Sequence, residues 1–196
     1  MKKSLPVIAA ALALSGCLSF GAKPPPTLMT LSSTQIREVG STRAAAAGET
    51  ITVVLPQTAR ELQTVRVPVH QSEIAVAYLK GAQWVEQPAG LFARLLSETI
   101  AATTGRVVLD PRQFTFDPGT RLTGTLQRFG LDATRMEVVA TYDAALARQG
   151  GGVATRRFES RVPVSVADAV SVSPALNQAA NEVATQVAAW VGSAAS

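Results

Sequence analysis

Met136-Glu137-Val138-Val139-Ala140-Thr141-Tyr142-Asp143-Ala144-Ala145-Leu146 decides the fold class. Met136, Val138, Ala140, Tyr142, Ala144 and Leu146 alternate with Glu137, Thr141 and Asp143. Side chains of a strand point to opposite faces in turn, so this period of two predicts a strand with one dry and one wet face.

The stretches on either side repeat the pattern. Phe158, Val162, Val164 and Val166 alternate with Arg157, Glu159 and Arg161. On the N-terminal side Leu122, Gly124 and Leu126 keep one phase, then Phe129 and Leu131 take the other, which predicts a bulge or bend between them. Asp132-Ala133-Thr134 and Gly150-Gly151-Gly152 are turn sequences that link the three into an antiparallel meander. Pro163 lacks a backbone N–H, so the third strand should lie at an edge or a bulge.

Beyond the meander the period changes to that of a helix. Ser173-Pro174 reads as an N-cap followed by proline at the first helical position. Leu176, Ala180, Val183, Val187, Trp190 and Val191 then form one apolar stripe, with Asn177, Gln178, Asn181, Glu182 and Gln186 turned elsewhere. Earlier in the chain Pro88 opens a second helix, whose apolar face is Leu91, Phe92, Leu95, Leu96 and Ile100, and Gly105 suits its end. Short strands are expected at Thr27–Leu31, Ile51–Leu55, Val65–Val69, Ile74–Leu79 (Ile74, Val76 and Tyr78 sharing a face) and Val107–Leu109, the last one buried. Residues 32–49 are polar and alanine-rich and read as a loop. The predicted architecture is α+β: a mainly antiparallel sheet with two helices packed on one face, one domain over residues 27–196.

The first residues bear on location. Lys2 and Lys3 precede the apolar run Leu5–Leu14, which at about ten residues is too short for a bilayer needing roughly 20. Leu14-Ser15-Gly16-Cys17 resembles the lipobox of bacterial lipoproteins, in which the cysteine sulfur receives a diacylglyceryl group, the chain is cut before it and the new amine is acylated. Cys17 is the chain's one cysteine and stands where that chemistry requires it. Residues 1–16 are therefore expected to be a signal peptide, and 17–26 a lipidated tether stiffened by Pro24-Pro25-Pro26. Leu18 and Ser19 follow the cysteine where an aspartate retains many lipoproteins at the inner membrane, so the outer membrane, periplasmic side, is the expected location.

Composition excludes several function classes. The net charge of +4 includes Lys2 and Lys3, leaving +2 on the rest, and its arginines are interleaved with acids. A nucleic-acid surface needs a clustered basic face, so no nucleic-acid partner is expected. His70 is the one histidine and reads as a surface residue at a turn. With no cysteine but Cys17, the usual metal sites cannot be assembled, and no Gly-x-Ser-x-Gly elbow presents a nucleophile. Gly150-Gly151-Gly152 precedes a strand rather than a helix, so it lacks the helix N-terminus that binds phosphate. No enzyme, cofactor or metal is expected.

The lipobox, Leu28-Met29-Thr30-Leu31, the strand Ile51-Thr52-Val53-Val54-Leu55-Pro56, Arg60–Val67, Gln83-Trp84-Val85-Glu86 before a leucine-rich helix, the meander and the closing helix occur in a set order. In that order the chain resembles the auxiliary lipoproteins of ABC-type lipid transporters, the PqiC-like family. Thr27-Leu28 stands where that family often has a tyrosine in its first strand. The resemblance implies a docking component at the outer-membrane end of an MCE-type lipid transport system. The implied partners are an MCE-domain protein and the membrane, through the lipid anchor; a homo-oligomer is a further arrangement to consider. Trp84 is the residue singled out for a partner or lipid contact, against ordinary core packing at the start of a helix. Strand addition is expected at sheet edges near Ile51–Leu55 and Val65–Val69 rather than at the Pro163 strand. The alternative is a structural or assembly lipoprotein of the outer membrane with no transport role; a membrane-tethered hydrolase is a weaker one.

Replacing Cys17 by serine should abolish lipid attachment and leave uncut precursor in the inner membrane, as read by intact mass. Correctly cut protein carrying an unmodified Cys17 would refute the anchor.

Overall fold

The computed structural model describes residues 27–36, 39–46, 49–111, 119–148 and 150–194. Cys17 and the segments expected to be the signal peptide (1–16) and the tether (17–26) lie outside them. The meander forms as three long strands: β6 Thr120–Asp132, β7 Glu137–Ala147 and β8 Val153–Pro163. They follow β1 Ile51–Val53, β2 Gln57–Thr58, β3 Arg66–Ser72, β4 Ala75–Gln83, α1 Pro88–Thr104 and β5 Val108–Leu109, and precede α2 Ala169–Ala194.

The eight strands make one sheet in which β6 is central. One edge of β6 pairs antiparallel with β7 from Arg121↔Ala147 to Asp132↔Glu137. Its other edge is shared by three short parallel neighbours in succession: β1 at Thr120–Leu122, β2 at Thr125–Leu126 and β3 at Leu131–Asp132. β5 then pairs parallel with β1, and β4 antiparallel with β3. The sheet is mainly antiparallel, as expected, with parallel pairings where β1, β2 and β3 join β6 and where β5 joins β1.

The expected phase switch is a bulge between Leu126 and Arg128. Leu126 lies opposite Tyr142, and after the extra residue Phe129 lies opposite Ala140 on the same face. Were Gln127 to take a regular place in the ladder, Phe129 and Leu131 would point into water; both are fully buried. Gly124 serves the same face, since a Cβ there would lie 2.6 Å from the Tyr142 hydroxyl.

Both helices cover this face. α1 has Pro88 in its first turn and ends on Gly105 in the left-handed conformation, φ 73°. Its Leu91, Phe92, Leu95, Leu96 and Ile100 are buried. On α2 the buried stripe is Val172, Leu176, Ala180, Val183, Val187 and Val191, with Ala179, Ala184 and Ala188 beside it. Trp190 is half-buried at the margin, its ring 5.5 Å from Phe158.

Several local expectations need correction. α2 starts at Ala169, with Pro174 inside it. The Asp168 carboxylate accepts the Ser171 N–H at 2.8 Å, so aspartate caps the helix and Ser173 does not. Pro174 forgoes one ladder bond near the helix start, and the extra turn buries Val172 in exchange. Thr27–Leu31 is reduced to a bridge at Met29↔Trp84. β5 is half-buried, because it lies at the sheet's margin. Ile74 falls at the β3–β4 hairpin tip, and the face it was expected to share with Val76 and Tyr78 is the wetter one. Neither β1 nor β3 offers an edge, since each has a paired strand on both sides. The strands paired on one side only are β2, β4, β5 and β8. Pro163 belongs to edge strand β8, and the β7–β8 ladder runs through it to the Val164 N–H bond with the Met136 carbonyl, 2.9 Å.

Truncating Leu176 to alanine removes a fully buried side chain and should cost about 2–5 kcal/mol. Gln178→Ala, on the exposed side, should fall within about 0.5 kcal/mol of the parent. Thermal or urea denaturation checks both.

Candidate functional site

The region singled out around Trp84 is where the N-terminal segment enters the domain. Met29 donates to the Gln83 carbonyl at 2.7 Å and accepts from the Val85 N–H at 2.9 Å, while Trp84 donates to Val65 at 2.7 Å. This places Met29 and Trp84 side by side at the base of the β3–β4 hairpin. The Trp84 ring turns inward, 1% exposed, and stacks on Phe129 at 5.4 Å. Phe92 continues the cluster to Phe129 and, edge-on at 5.2 Å, to Tyr142. Trp84 therefore packs in the core, and its surface is not open to a partner or lipid. Its indole N–H and the Tyr142 hydroxyl have no hydrogen-bond partner among the described residues. Burial pushes the Tyr142 hydroxyl well above its ordinary pKa.

Downstream of Met29 the segment is clamped to α2. Leu31 is buried, the Ser32 N–H bonds Asn177 Oδ1 at 2.9 Å and the Thr34 N–H bonds Asn181 Oδ1 at 2.8 Å. Asn181 Nδ2 donates back to the Ser32 carbonyl at 2.9 Å. Two asparagine amides thus satisfy an extended backbone that has no strand partner there. In the sequence Asn177 and Asn181 fall on the polar side of α2, and their i, i+4 spacing beside the apolar stripe is the signal that they face a common neighbour.

The chemistry elsewhere is structural in geometry. His70 lies in β3 rather than at a turn, is half-buried, and has Nε2 2.9 Å from Glu61 Oε1. Ser72 and Asp132 line the same cleft as His70, but the Ser72 hydroxyl accepts from the Ile74 N–H and the His70 nitrogen is engaged by Glu61. Among the described residues no three His, Cys, Asp or Glu side chains gather as metal ligands, and no helix is long and apolar enough to cross a membrane.

The wet face of β6–β8 is a ladder of mixed charge. Arg157 makes a two-pronged contact with Asp143, 2.6 and 2.7 Å, and Gln127 adds a third bond at 3.1 Å. Arg161 joins Glu159 at 2.8 Å and Glu137 at 3.5 Å. The Arg157 bond holds Asp143 below the usual carboxylate range, the Thr134 hydroxyl does the same for Asp132, and the Ser160 hydroxyl for Glu182. Carboxylates lowered by folding contribute stability that is full above their unfolded pKa, about 4, and is lost as pH falls through the lower folded values. The melting temperature should therefore fall as pH drops below about 4, and Glu182→Gln should make that fall shallower. A melting temperature unchanged or rising with acid would contradict this.

Comparison with known proteins agrees with the arrangement. The ABC-type transport auxiliary lipoprotein component family matches residues 30–188. The crystal structure of protein XCC0632 from Xanthomonas campestris is similar, with TM-score 0.65 and 18% identity over 87% of this chain and 94% of that one. A second crystal structure, of an uncharacterised protein, has TM-score 0.63 and 13% identity, covering 87% of this chain and 100% of the other. No curated protein matches the chain. The family match runs from Thr30, beside the Met29–Trp84 bridge, almost to the end of α2, so the chain belongs to the ABC-type transport auxiliary lipoprotein family.

Proposed function

We propose that this chain is an outer-membrane-anchored periplasmic lipoprotein that serves as a docking component of an ABC-type MCE lipid transport system. The observation that carries the reading is the family match over residues 30–188, which supports a transport-associated role and is not that of an enzyme family. Leu14-Ser15-Gly16-Cys17 supplies the lipidation signal, and Leu18-Ser19 lacks an inner-membrane retention residue. Two or more acyl chains on Cys17 would make the anchor stable, since one alone binds only marginally.

The division of labour follows. Lipid on Cys17 holds the chain to the membrane, residues 17–26 act as a short tether, and the domain from Thr27 onward meets a protein partner. Hydrolysis of nucleotide belongs to a separate ATPase. The His70–Glu61 pair and the charged ladder of β6–β8 stabilise this domain rather than act on a substrate.

Membrane fractionation with a pull-down of the tagged, lipidated protein tests the reading. The expected result is recovery with the outer membrane and specific co-purification of the transporter's MCE-domain subunit. Recovery with the inner membrane would overturn the location. An outer-membrane protein with no MCE-domain partner would favour a structural or assembly lipoprotein.

A further inference from the structure

Among the described residues β8 is the long regular edge of the sheet. β2 and β5 hold two residues each. β4 is broken by register shifts against β3 and by Gly81 in the left-handed conformation, φ 71°. β8 instead pairs residue for residue with β7 along its 11 positions, from Glu137↔Pro163 to Ala147↔Val153. Continuing that register sets Val164 opposite Met136, and the Val164 N–H bonds the Met136 carbonyl at 2.9 Å. Bonded and non-bonded pairs alternate in an antiparallel ladder, so Phe158, Ser160 and Val162 turn their backbone groups toward β7. Val153, Thr155, Arg157, Glu159 and Arg161 turn theirs to the open edge. Pro163 belongs to this second set, so its missing N–H takes nothing from the β7 ladder.

An edge of this length is a template for a further strand, and its side chains select which one. On the wet face it reads Thr155, Arg157, Glu159, Arg161. A second β8 added antiparallel about a two-fold axis at Phe158 sets Arg157 against Glu159 and Thr155 against Arg161, on both sides of the axis. An axis at Arg157 or Glu159 sets a charge against its own copy, which destabilises the pair. An axis at Ser160 matches Glu159 with Arg161 but brings Pro163 inside a shorter ladder. Phe158 is the midpoint of Val153–Pro163, so the charge-matched register is also the one that uses the whole edge. Charges guard an edge against neutral strands, but not against a strand with the opposite charge at the matching positions. Asp143, 2.6 Å from Arg157, and Thr141, 2.8 Å from Glu159, then extend the row on either side.

The core face agrees. Ser160 holds Glu182 at 2.6 Å, and the Phe158 axis places the exposed Arg156 opposite Ser160, beside that carboxylate. α2 lies over β7 and β8 and reaches the open edge through Gln186, whose Nε2 donates to the Glu159 carbonyl at 3.5 Å. A backbone N–H of the second strand would replace that long bond. One turn further on, the half-buried Trp190 lies 5.5 Å from Phe158, level with the axis. With strands about 4.8 Å apart, the two α2 helices would run roughly 10 Å apart, a distance at which helices pack. The two Trp190 rings would then meet beside the axis.

We infer that β8 and the Trp190 side of α2 form a two-fold interface with a second copy of this chain. The interface is independent of the transport partner, since each half of it is supplied by this sequence.

The test uses the full chain in cells. Differently tagged Arg157→Cys and Glu159→Cys chains are produced together and oxidised. The parent, whose one cysteine is Cys17, and a Lys80→Cys chain altered on the β4 edge give the background. The expected product is a mixed disulfide dimer, several-fold above either same-site dimer and above the Lys80→Cys dimer. In parallel, Glu159→Arg faces arginine with Arg157 across the axis and should lower co-purification of two differently tagged copies on the order of tenfold. Producing it together with Arg157→Glu should restore the pairing, because each copy then meets its opposite charge. Where a swap chain fails to fold, the disulfide result decides. Same-site dimers as the main product would place another residue on the axis and overturn the interface. No mixed dimer above background, or folded swap chains that do not regain pairing together, would overturn it as well.

Discussion

The fold depends on one strand carrying four neighbours. β6 gives its whole length on one edge to β7 and divides the other among β1, β2 and β3. A strand used in this way must be long, and it must keep one face apolar throughout. The bulge between Leu126 and Arg128 reconciles these demands. It bends the strand and resets its phase, so that Leu122, Leu126, Phe129 and Leu131 all enter one core. Trp84, Phe92 and Tyr142 then fill the space between that face and α1.

Because β1, β2 and β3 are each short, their place is set by β6 rather than by their own pattern. This explains what could be read from the sequence. The meander and both helices were legible because each repeats its period for several turns or pairs. Leu91 to Ile100 and Leu176 to Val191 show it for the helices, and Met136 to Leu146 for the strands. Strands of two or three residues hold too few alternations to reveal direction, so the parallel pairings of Ile51–Val53 and Gln57–Thr58 stayed hidden. The same limit made the segments at Ile51–Leu55 and Val65–Val69 look like edges. Ser173-Pro174 misled for a different reason. A proline at a plausible first position outweighed Asp168, which caps the helix a turn earlier.

The candidate site was less legible than the fold. Cys17 stands out in the sequence because lipidation chemistry needs a fixed local sequence, and it lies outside the described residues. Trp84 was readable as a large aromatic at an element boundary, but periodicity does not tell whether such a ring turns inward; stacking on Phe129 decided that. The Asn177–Asn181 clamp joins residues 145 and 147 positions apart in sequence, beyond any local pattern. It is nonetheless what ties the segment around Ser32 and Thr34 to α2.

The other strands reach the core through β6 or through a neighbour of β6. Native-state hydrogen exchange measures this dependence most directly. The amides of Leu122 to Leu131 in β6 should be among the slowest to exchange, and those of β4 and β5 at the sheet's margins faster. Exchange of the β6 amides as fast as those of β4 or β5 would contradict it.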